Sequence, residues 1–388
     1  MPKKKVKILR IISTLNPKYG GPSRAIIDSS IVLQKKGIKV DILTCDNEKE
    51  VFFKSNKIKI INKGPSLLGT YWFSLKLFFW LKRNEAKYDT FIVHGIWQFK
   101  TLMARLLIKK KYYVFLHGQL DPFFKNNFIK LIKKKIYWFL FERNNLLNAK
   151  SILLTSKGEM QTLKNTFVKT SNIKKQVIQY GIIKPKLNKK KLSIKFYKKF
   201  KNFKGKKFYL FLGRFHEKKG CEIIIETIKI LGNNFKGLVL MAGPLSNTIY
   251  EKKIINLIKE YKLEKKIIIS EALYNDLKWG AIQQSKAMLL PSHGENFGVS
   301  LVESLSFSKP VLTTFKVNIY KDILNYKAGL VSKNTVNGFT KILKQFNKFD
   351  NRKIKKYSNN SYICCKKNFN LKSKNNELAK LLKNENYN

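Results

Sequence analysis

Short apolar runs alternate with longer segments of helical period along most of the chain. Val6–Ile12, Val40–Thr44, Thr90–His94, Tyr112–His117 and Ser151–Leu154 are brief, rich in β-branched and aromatic residues, and bounded by polar residues or glycine. That pattern predicts buried strands. Between them, Pro22–Lys36, Tyr71–Lys82, Lys100–Lys109 and Phe123–Asn148 predict helices. Strand and helix in alternation give a parallel sheet with helices on both faces. A Lys-dense stretch, Lys184–Gly205, interrupts the series, and its first part, Lys184–Lys191, reads as a linker. A second series follows. Phe208–Leu212, Leu238–Ala242, Ile267–Ile269, Ala287–Leu290 and Pro310–Thr313 predict strands, and Cys221–Leu231, Tyr250–Tyr261, Tyr274–Ser285 and Val299–Phe307 predict helices. About the last forty residues are polar and rich in Lys and Asn, with one helical run at Asn376–Lys383. The expected organisation is therefore two Rossmann-like domains, 1–190 and 191–350, and a tail, 351–388, that packs back on the first. Ligands are expected at the carboxyl ends of the strands, in a cleft between the domains.

Composition narrows the classes. Of 388 residues, 44% are hydrophobic and 13% aromatic, enough for two cores and too much for a disordered basic tail. The formal net charge is +55, carried by 72 Lys and only seven Arg. Nucleic-acid readers lean on Arg for bidentate contacts, so this excess fits them poorly and no nucleic acid is expected. Lys, Asn and Ile are abundant together, as in AT-rich coding, and attraction to an anionic lipid surface is the functional alternative. The four cysteines have no zinc-like spacing, which suits a reduced, cytoplasmic chain. The N-terminus runs directly into a strand pattern without the apolar stretch of a signal peptide. Ser66–Leu81 is strongly apolar, but it is shorter than the ~20 residues of a spanning helix and is interrupted by Lys76. It is expected to be a buried helix, or else an interfacial one.

Four segments carry candidate chemistry. Pro291–Pro310 (PSHGENFGVSLVESLSFSKP) runs from a strand through a glycine-containing loop into an apolar helix. Unpaired amides at a helix start favour anions, and Gly298 allows close approach to that backbone. Glu295 in the loop and Glu303 on the helix could bind two polyhydroxylated groups flanking a phosphate. In Phe208–Gly220 (FYLFLGRFHEKKG), Arg214 and Lys219 follow a strand end and could grip a diphosphate, Arg by its fork and Lys as a point charge. Asn16–Ala25 (NPKYGGPSRA) looks like half a phosphate loop around Gly20 and Gly21 but lacks a full dinucleotide or Walker pattern. His94 and His117 each end a strand and precede a glycine, and Asp121–Pro122 would cap the next helix. Asp-x-Asp is absent, leaving no obvious divalent-metal site.

Together these motifs resemble glycosyltransferase family 4, retaining nucleotide-sugar enzymes of GT-B fold. The likeness runs from about Val6 to Lys344 and is most specific in E-x7-E at Glu295–Glu303 and G-R-x4-K-G at Gly213–Gly220. GGPSRAI at Gly20–Ile26 and HGQLDP at His117–Pro122 match as well. The resemblance implies that the C-terminal domain holds a nucleotide sugar and the N-terminal domain a glycan or lipid-linked acceptor. It implies that Arg214 and Lys219 bind the diphosphate and that the Phe297 and Gly298 amides contact phosphate and sugar. Glu295 would hold sugar hydroxyls, Glu303 the ribose, Gly21 would approach the phosphates, and His117 would hydrogen-bond the transferred sugar. It implies retention at the anomeric carbon without a metal or other cofactor, in cell-surface polysaccharide assembly. Asn296 departs from the glycine many members carry and is expected to alter the loop's backbone angles. A GT-B-type epimerase and a non-enzymatic basic coat protein are the alternatives. Last, the basic and aromatic segment Lys125–Arg143, with Ser66–Leu81 adjoining, is expected to seat the protein on the inner face of an anionic membrane.

Overall fold

The computed structural model describes residues 6–19, 21–120, 128–166, 168–372 and 377–384. They form two compact units, Met1–Gly181 with Leu371–Asn388, and Ile182–Asn370. Each is built on a wholly parallel sheet, as the alternation of strand and helix requires.

The first unit contains β1 (Lys7–Ile11), β2 (Lys39–Thr44), β3 (Lys59–Asn62), β4 (Thr90–His94), β5 (Tyr112–Phe115), β6 (Ser151–Leu154) and β7 (Lys175–Val177), in the order β3-β2-β1-β4-β5-β6-β7. Leu9 and Ile11 of β1 join Phe91, Val93, Val114, Ile152 and Leu154 in the larger apolar core. Burying each such side chain contributes about 1.5–3 kcal/mol. The opposite face of β1 presents Arg10, fully buried against the helix Pro22–Lys35.

The second unit contains β8 (Phe208–Leu212), β9 (Leu238–Ala242), β10 (Ile267–Ser270), β11 (Ala287–Leu290), β12 (Val311–Thr314) and β13 (Gly329–Ser332), in the order β10-β9-β8-β11-β12-β13. Every residue of β8, β11 and β12 is buried, which is why these strands read as continuous apolar runs. In both sheets the chain goes one way from the middle and then jumps back. The reversal falls between β1 and β4 in the first and between β8 and β11 in the second. Loops leaving the carboxyl ends of such strand pairs diverge and leave a crevice.

Several boundaries differ from the expectation. The units divide after Gly181 and not at 190. Lys184–Lys191 is no linker, because Asn188 caps a helix, Lys189–Lys199, that belongs to the second unit. That helix buries Leu192 and Phe196, one turn apart, and Phe196 stacks on Phe208 at 5.3 Å. The tail also divides. The helix Asn351–Cys364 belongs to the second unit, where Ser361 Oγ donates to the Ala328 carbonyl (3.0 Å), and only 371–388 groups with the first. Ser66–Leu81 is not one buried helix. A turn precedes Ser74, which caps the helix Leu75–Asn84, and Leu67, Leu68, Leu75 and Phe79 are exposed. The segment expected at Phe123–Asn148 comprises a helix Phe128–Tyr137, a π-turn Trp138–Glu142 and a helix Arg143–Leu147, with 123–127 outside the described residues. Among the described residues, no helix is long and apolar enough to cross a membrane.

Candidate active site

The second unit assembles its candidate residues where the strand order reverses. After β8 the chain passes Gly213 and Arg214, makes a short turn at Glu217–Lys219, and enters the helix Cys221–Leu231 through Gly220. Gly220 has φ +64°, and a Cβ there would lie 2.4 Å from the Pro291 carbonyl oxygen. Only glycine fits, so this loop packs directly on the one leaving β11. That second loop, Pro291–Gly298, ends at Gly298 (φ 67°), which caps the helix Val299–Ser306; its carbonyl accepts from the Leu301 amide (2.9 Å), while the Val299 and Ser300 amides before it lie at the helix start, where the helix offers them no carbonyl. Glu295 is clipped into place through its backbone. Its N–H donates to Lys316 O and its carbonyl accepts from Asn318 N, both at 2.9 Å.

The two loops meet through an ion pair between Lys219 and Glu295, both largely buried. Burial alone would push the Glu295 carboxyl up, but Lys219, Lys218 and the Gly298 amide hold it below the ordinary carboxylate range. It is therefore ionised at neutral pH. Arg214 is exposed, and among the described residues its guanidinium has no hydrogen-bond or ion-pair partner. Glu303, one turn into its helix, is buried and pairs with Lys278 at 2.5 Å. Phe297 is buried edge-on against Phe369 (5.7 Å). Asn296 stays out of the left-handed region, so its side chain imposes no backbone strain. Its Oδ1 accepts from Asn318 Nδ2 at 3.2 Å.

The first unit brings its two strand-end histidines together. His94 Nδ1 and His117 Nε2 are 2.9 Å apart, and Arg10 Nε donates to His94 Nε2 at 3.0 Å. His117 has φ +51°, an unusual conformation for a non-glycine residue. Glu159 Oε1 accepts from the adjoining Gly118 amide at 2.7 Å and secures the loop. Burial, followed by the charges of Arg10 and Lys100, depresses His117 to about 3. Gly21 caps the helix Pro22–Lys35 with ordinary right-handed angles, so its backbone would tolerate a side chain. Gly20 and Asp121–Pro122 lie outside the described residues.

The structure thus joins Glu295 to Lys219 and places Arg214, Phe297, Gly298 and Glu303 on the loops and helix that follow β8 and β11 in the second unit. His117 and Gly21 belong to the first. Sequence reasoning passed over Lys278, whose partner is 25 residues distant, and the group around His293. His293 Nε2 lies 3.1 Å from Glu222 Oε1 and its Nδ1 lies 3.1 Å from Asn334 Nδ2. The signal for His293 was present: an ionisable residue two positions before Glu295, inside the strongest motif. Arg10 gave its own signal as a rare arginine within an apolar strand.

Among the described residues, no cluster of three His, Cys, Asp or Glu side chains could hold a metal ion. The family model described as "Glycosyltransferase Family 4" matches residues 19–182, and that described as "Glycosyl transferases group 1" matches 193–363. The alpha-1,3/1,6-mannosyltransferase ALG2 of Saccharomyces cerevisiae is 23% identical over 369 residues, covering 82% of this chain and 72% of its own. The O-antigen chain mannosyltransferase C of Escherichia coli is 22% identical over 314 residues, covering 79% of each. Among solved structures, Anabaena HepE in complex with UDP and glucose superposes with a TM-score of 0.75 at 14% identity, covering 98% of this chain and 100% of that one. WaaG, a glycosyltransferase involved in lipopolysaccharide biosynthesis, superposes with a TM-score of 0.72 at 14% identity, covering 97% and 99%. These two likenesses concern the fold, a two-sheet GT-B architecture.

Proposed function

Because the chain belongs to glycosyltransferase family 4, and is a glycosyltransferase, we propose that its second unit binds a nucleoside-diphosphate sugar in the crevice between the β8 and β11 loops. The observation that carries this reading is the Lys219–Glu295 pair beside an unpaired Arg214 and an open helix start. Two cations and a row of amides suit a diphosphate, and an ionised carboxylate suits sugar hydroxyls. In the proposed reaction the bond from the anomeric carbon to the diphosphate oxygen breaks, and a bond to an acceptor oxygen forms on the same face. The acceptor's proton passes to the departing phosphate. Charge building on that phosphate would be met by Arg214, Lys219 and the amides of Phe297 and Gly298, of which Lys219 and the Gly298 amide also bond Glu295 and would be shared with it. Glu303 would reach the ribose, Gly21 the phosphates and His117 the transferred sugar. No metal takes part in this scheme, so a chelator should leave turnover unchanged.

The acceptor proposed is a growing cell-surface glycan on a lipid carrier, by kinship with an O-antigen enzyme. An exposed apolar stripe supports it. Ile132, Ile136, Phe139 and Leu140 recur at helical spacing on one face, beside Lys133 and Lys135. Tyr137 OH lies 3.3 Å from Tyr71 OH, tying the stripe to exposed Leu67, Leu68, Leu75 and Phe79. Such a surface suits peripheral attachment to an anionic leaflet. Lys125–Asn127 of the expected segment lie outside the described residues.

Thermal-shift screening of UDP-, GDP- and ADP-sugars tests the donor reading. A ligand at 100 times its Kd adds about 2.7 kcal/mol of stability. Titration with the matching nucleoside diphosphate then separates the carboxylates. Glu295→Gln should impair turnover more than binding, and Glu303→Gln should weaken binding. Equal loss of affinity in both variants contradicts the division. Co-sedimentation with vesicles tests the membrane reading, which requires anionic lipid and less binding as salt rises.

A further inference from the structure

We propose that Arg10, acting through His94, locks His117 in its Nδ1–H tautomer, so that the first unit offers its ligand a hydrogen-bond donor and no basic nitrogen. The argument begins at a fully buried arginine. Arg10 Nε donates to His94 Nε2 at 3.0 Å, while Nη1 is held by the Ile26 carbonyl (3.2 Å), Ser29 Oγ (2.7 Å) and Ser30 Oγ (3.0 Å). A guanidinium has only donors, so His94 Nε2 must accept. A neutral imidazole accepting on Nε2 carries its proton on Nδ1. That nitrogen is 2.9 Å from His117 Nε2 and donates to it. His117 is then itself an acceptor on Nε2, and its proton lies on Nδ1.

The ring geometry agrees. The two imidazole centroids are 5.2 Å apart with planes 26° from parallel. The separation matches the N···N distance plus two ring radii, so the bond runs nearly in both ring planes and the rings meet edge to edge. Phe115 lies nearly parallel to His117 at 5.5 Å and Tyr180 stands edge-on to it at 5.5 Å, which fixes its orientation. Protonation, which would undo the lock, is opposed. Burial first, then Arg10, His117 and Lys100, push His94 well below its ordinary value, and His117 falls to about 3. Among the described residues, His117 Nδ1 has no hydrogen-bond partner. A ligand there must present a lone pair, such as that of a sugar hydroxyl oxygen. Arg10 and His94 are thus positioning residues, and His117 cannot serve as a general base. The functional half of this inference rests on the proposal that His117 contacts the transferred sugar.

The chain has only four histidines, so the tautomers can be read directly. Two-bond nitrogen–proton correlation spectra of the full-length protein, labelled with ¹⁵N-histidine, should show His94 and His117 both as Nδ1–H at neutral pH. His216→Gln and His293→Gln identify the remaining two signals. An Nε2–H signal from His117 overturns the proposal in the unaltered protein, with no variant required. Arg10→Met should return both rings to mixed tautomers, and unchanged rings in that folded variant overturn the role of Arg10. Turnover of the sugar nucleotide found by screening tests the function separately. His117→Asn places an amide N–H where Nδ1–H stands, and His117→Gln places one near Nε2. The Asn variant should keep turnover within roughly tenfold and the Gln variant should lose about a hundredfold, with nucleoside-diphosphate affinity unchanged in both. The opposite ranking overturns the donor role. Full turnover in both removes His117 from the sugar, and the spectra then decide the tautomer lock alone.

Discussion

At the scale of single residues, the chemistry depends on which charges are already paired. Lys219 and Glu295 neutralise one another, whereas Arg214 stands exposed at the strand end. Arg214→Ala should therefore cut kcat/KM for the donor by about one to two decades, the worth of a charge-assisted bond at roughly 1.5–3 kcal/mol. The melting temperature should not change, because no internal partner is lost. The histidine pair makes a pH prediction of definite sign. His94 and His117 take protons readily when unfolded, near 6.5, and resist them when folded. Their contribution to stability is complete above pH 6.5 and is lost on acidification toward the folded values. Glu142 opposes them. Burial lifts it from 4.5 to about 7, despite the Trp97 amide and Lys100, so its contribution is present below 4.5 and lost as pH rises through 7. His216, also depressed by burial, acts with the pair, so stability should fall on acidification from pH 6.5. Urea unfolding at pH 7.5 and 5.5 measures it, and His94→Asn should flatten the slope. Motifs made the individual residues legible in the sequence, but not their pairings. Arg10 meets His94 across 84 positions, and Lys219 meets Glu295 across 76, because neighbouring strands of a parallel sheet come from distant parts of the chain.

Among elements, strands buried on both faces announced themselves as apolar runs, and the loops that follow β8 and β11 could be placed from sequence alone. Elements with little buried surface were silent. β7 (Lys-Gln-Val) is a polar edge strand, and the helix Lys189–Lys199 buries only two of its residues. The apolar tract at 66–81 misled for the converse reason. Its residues are apolar, yet several point outward, and composition does not report direction. Two glycines separate fit from flexibility. Gly220 and Gly205 both have positive φ, but a Cβ at 220 would strike the Pro291 carbonyl, whereas one at 205 meets nothing within 4 Å. Gly205→Ala should cost no more than about 1–3 kcal/mol of backbone strain and spare activity. Gly220→Ala adds a clash that pushes the two site loops apart, so donor binding by titration should fall well beyond the stability loss.

For the whole molecule, a net charge of +55 acts with two signs. It would favour the proposed attachment to anionic surfaces, and it makes the folded chain repel itself. Added salt should therefore release the protein from anionic vesicles while raising its melting temperature, a divergence that scanning from low to physiological ionic strength will show. The fold carries one further consequence, for the order in which the chain is made. Ile182 and Asn370 pair as neighbours, so the second unit leaves and re-enters the path of the first at adjacent points. The helix Glu377–Asn384, whose Glu377 accepts from the Gln179 amide across 198 positions, contributes buried Leu378, Ala379 and Leu382 to the first unit. A ribosome delivers that helix only after the entire second unit has emerged. The unit begun first is thus completed last, and its six earlier crossovers must wait, with one apolar surface uncovered, while the second unit folds.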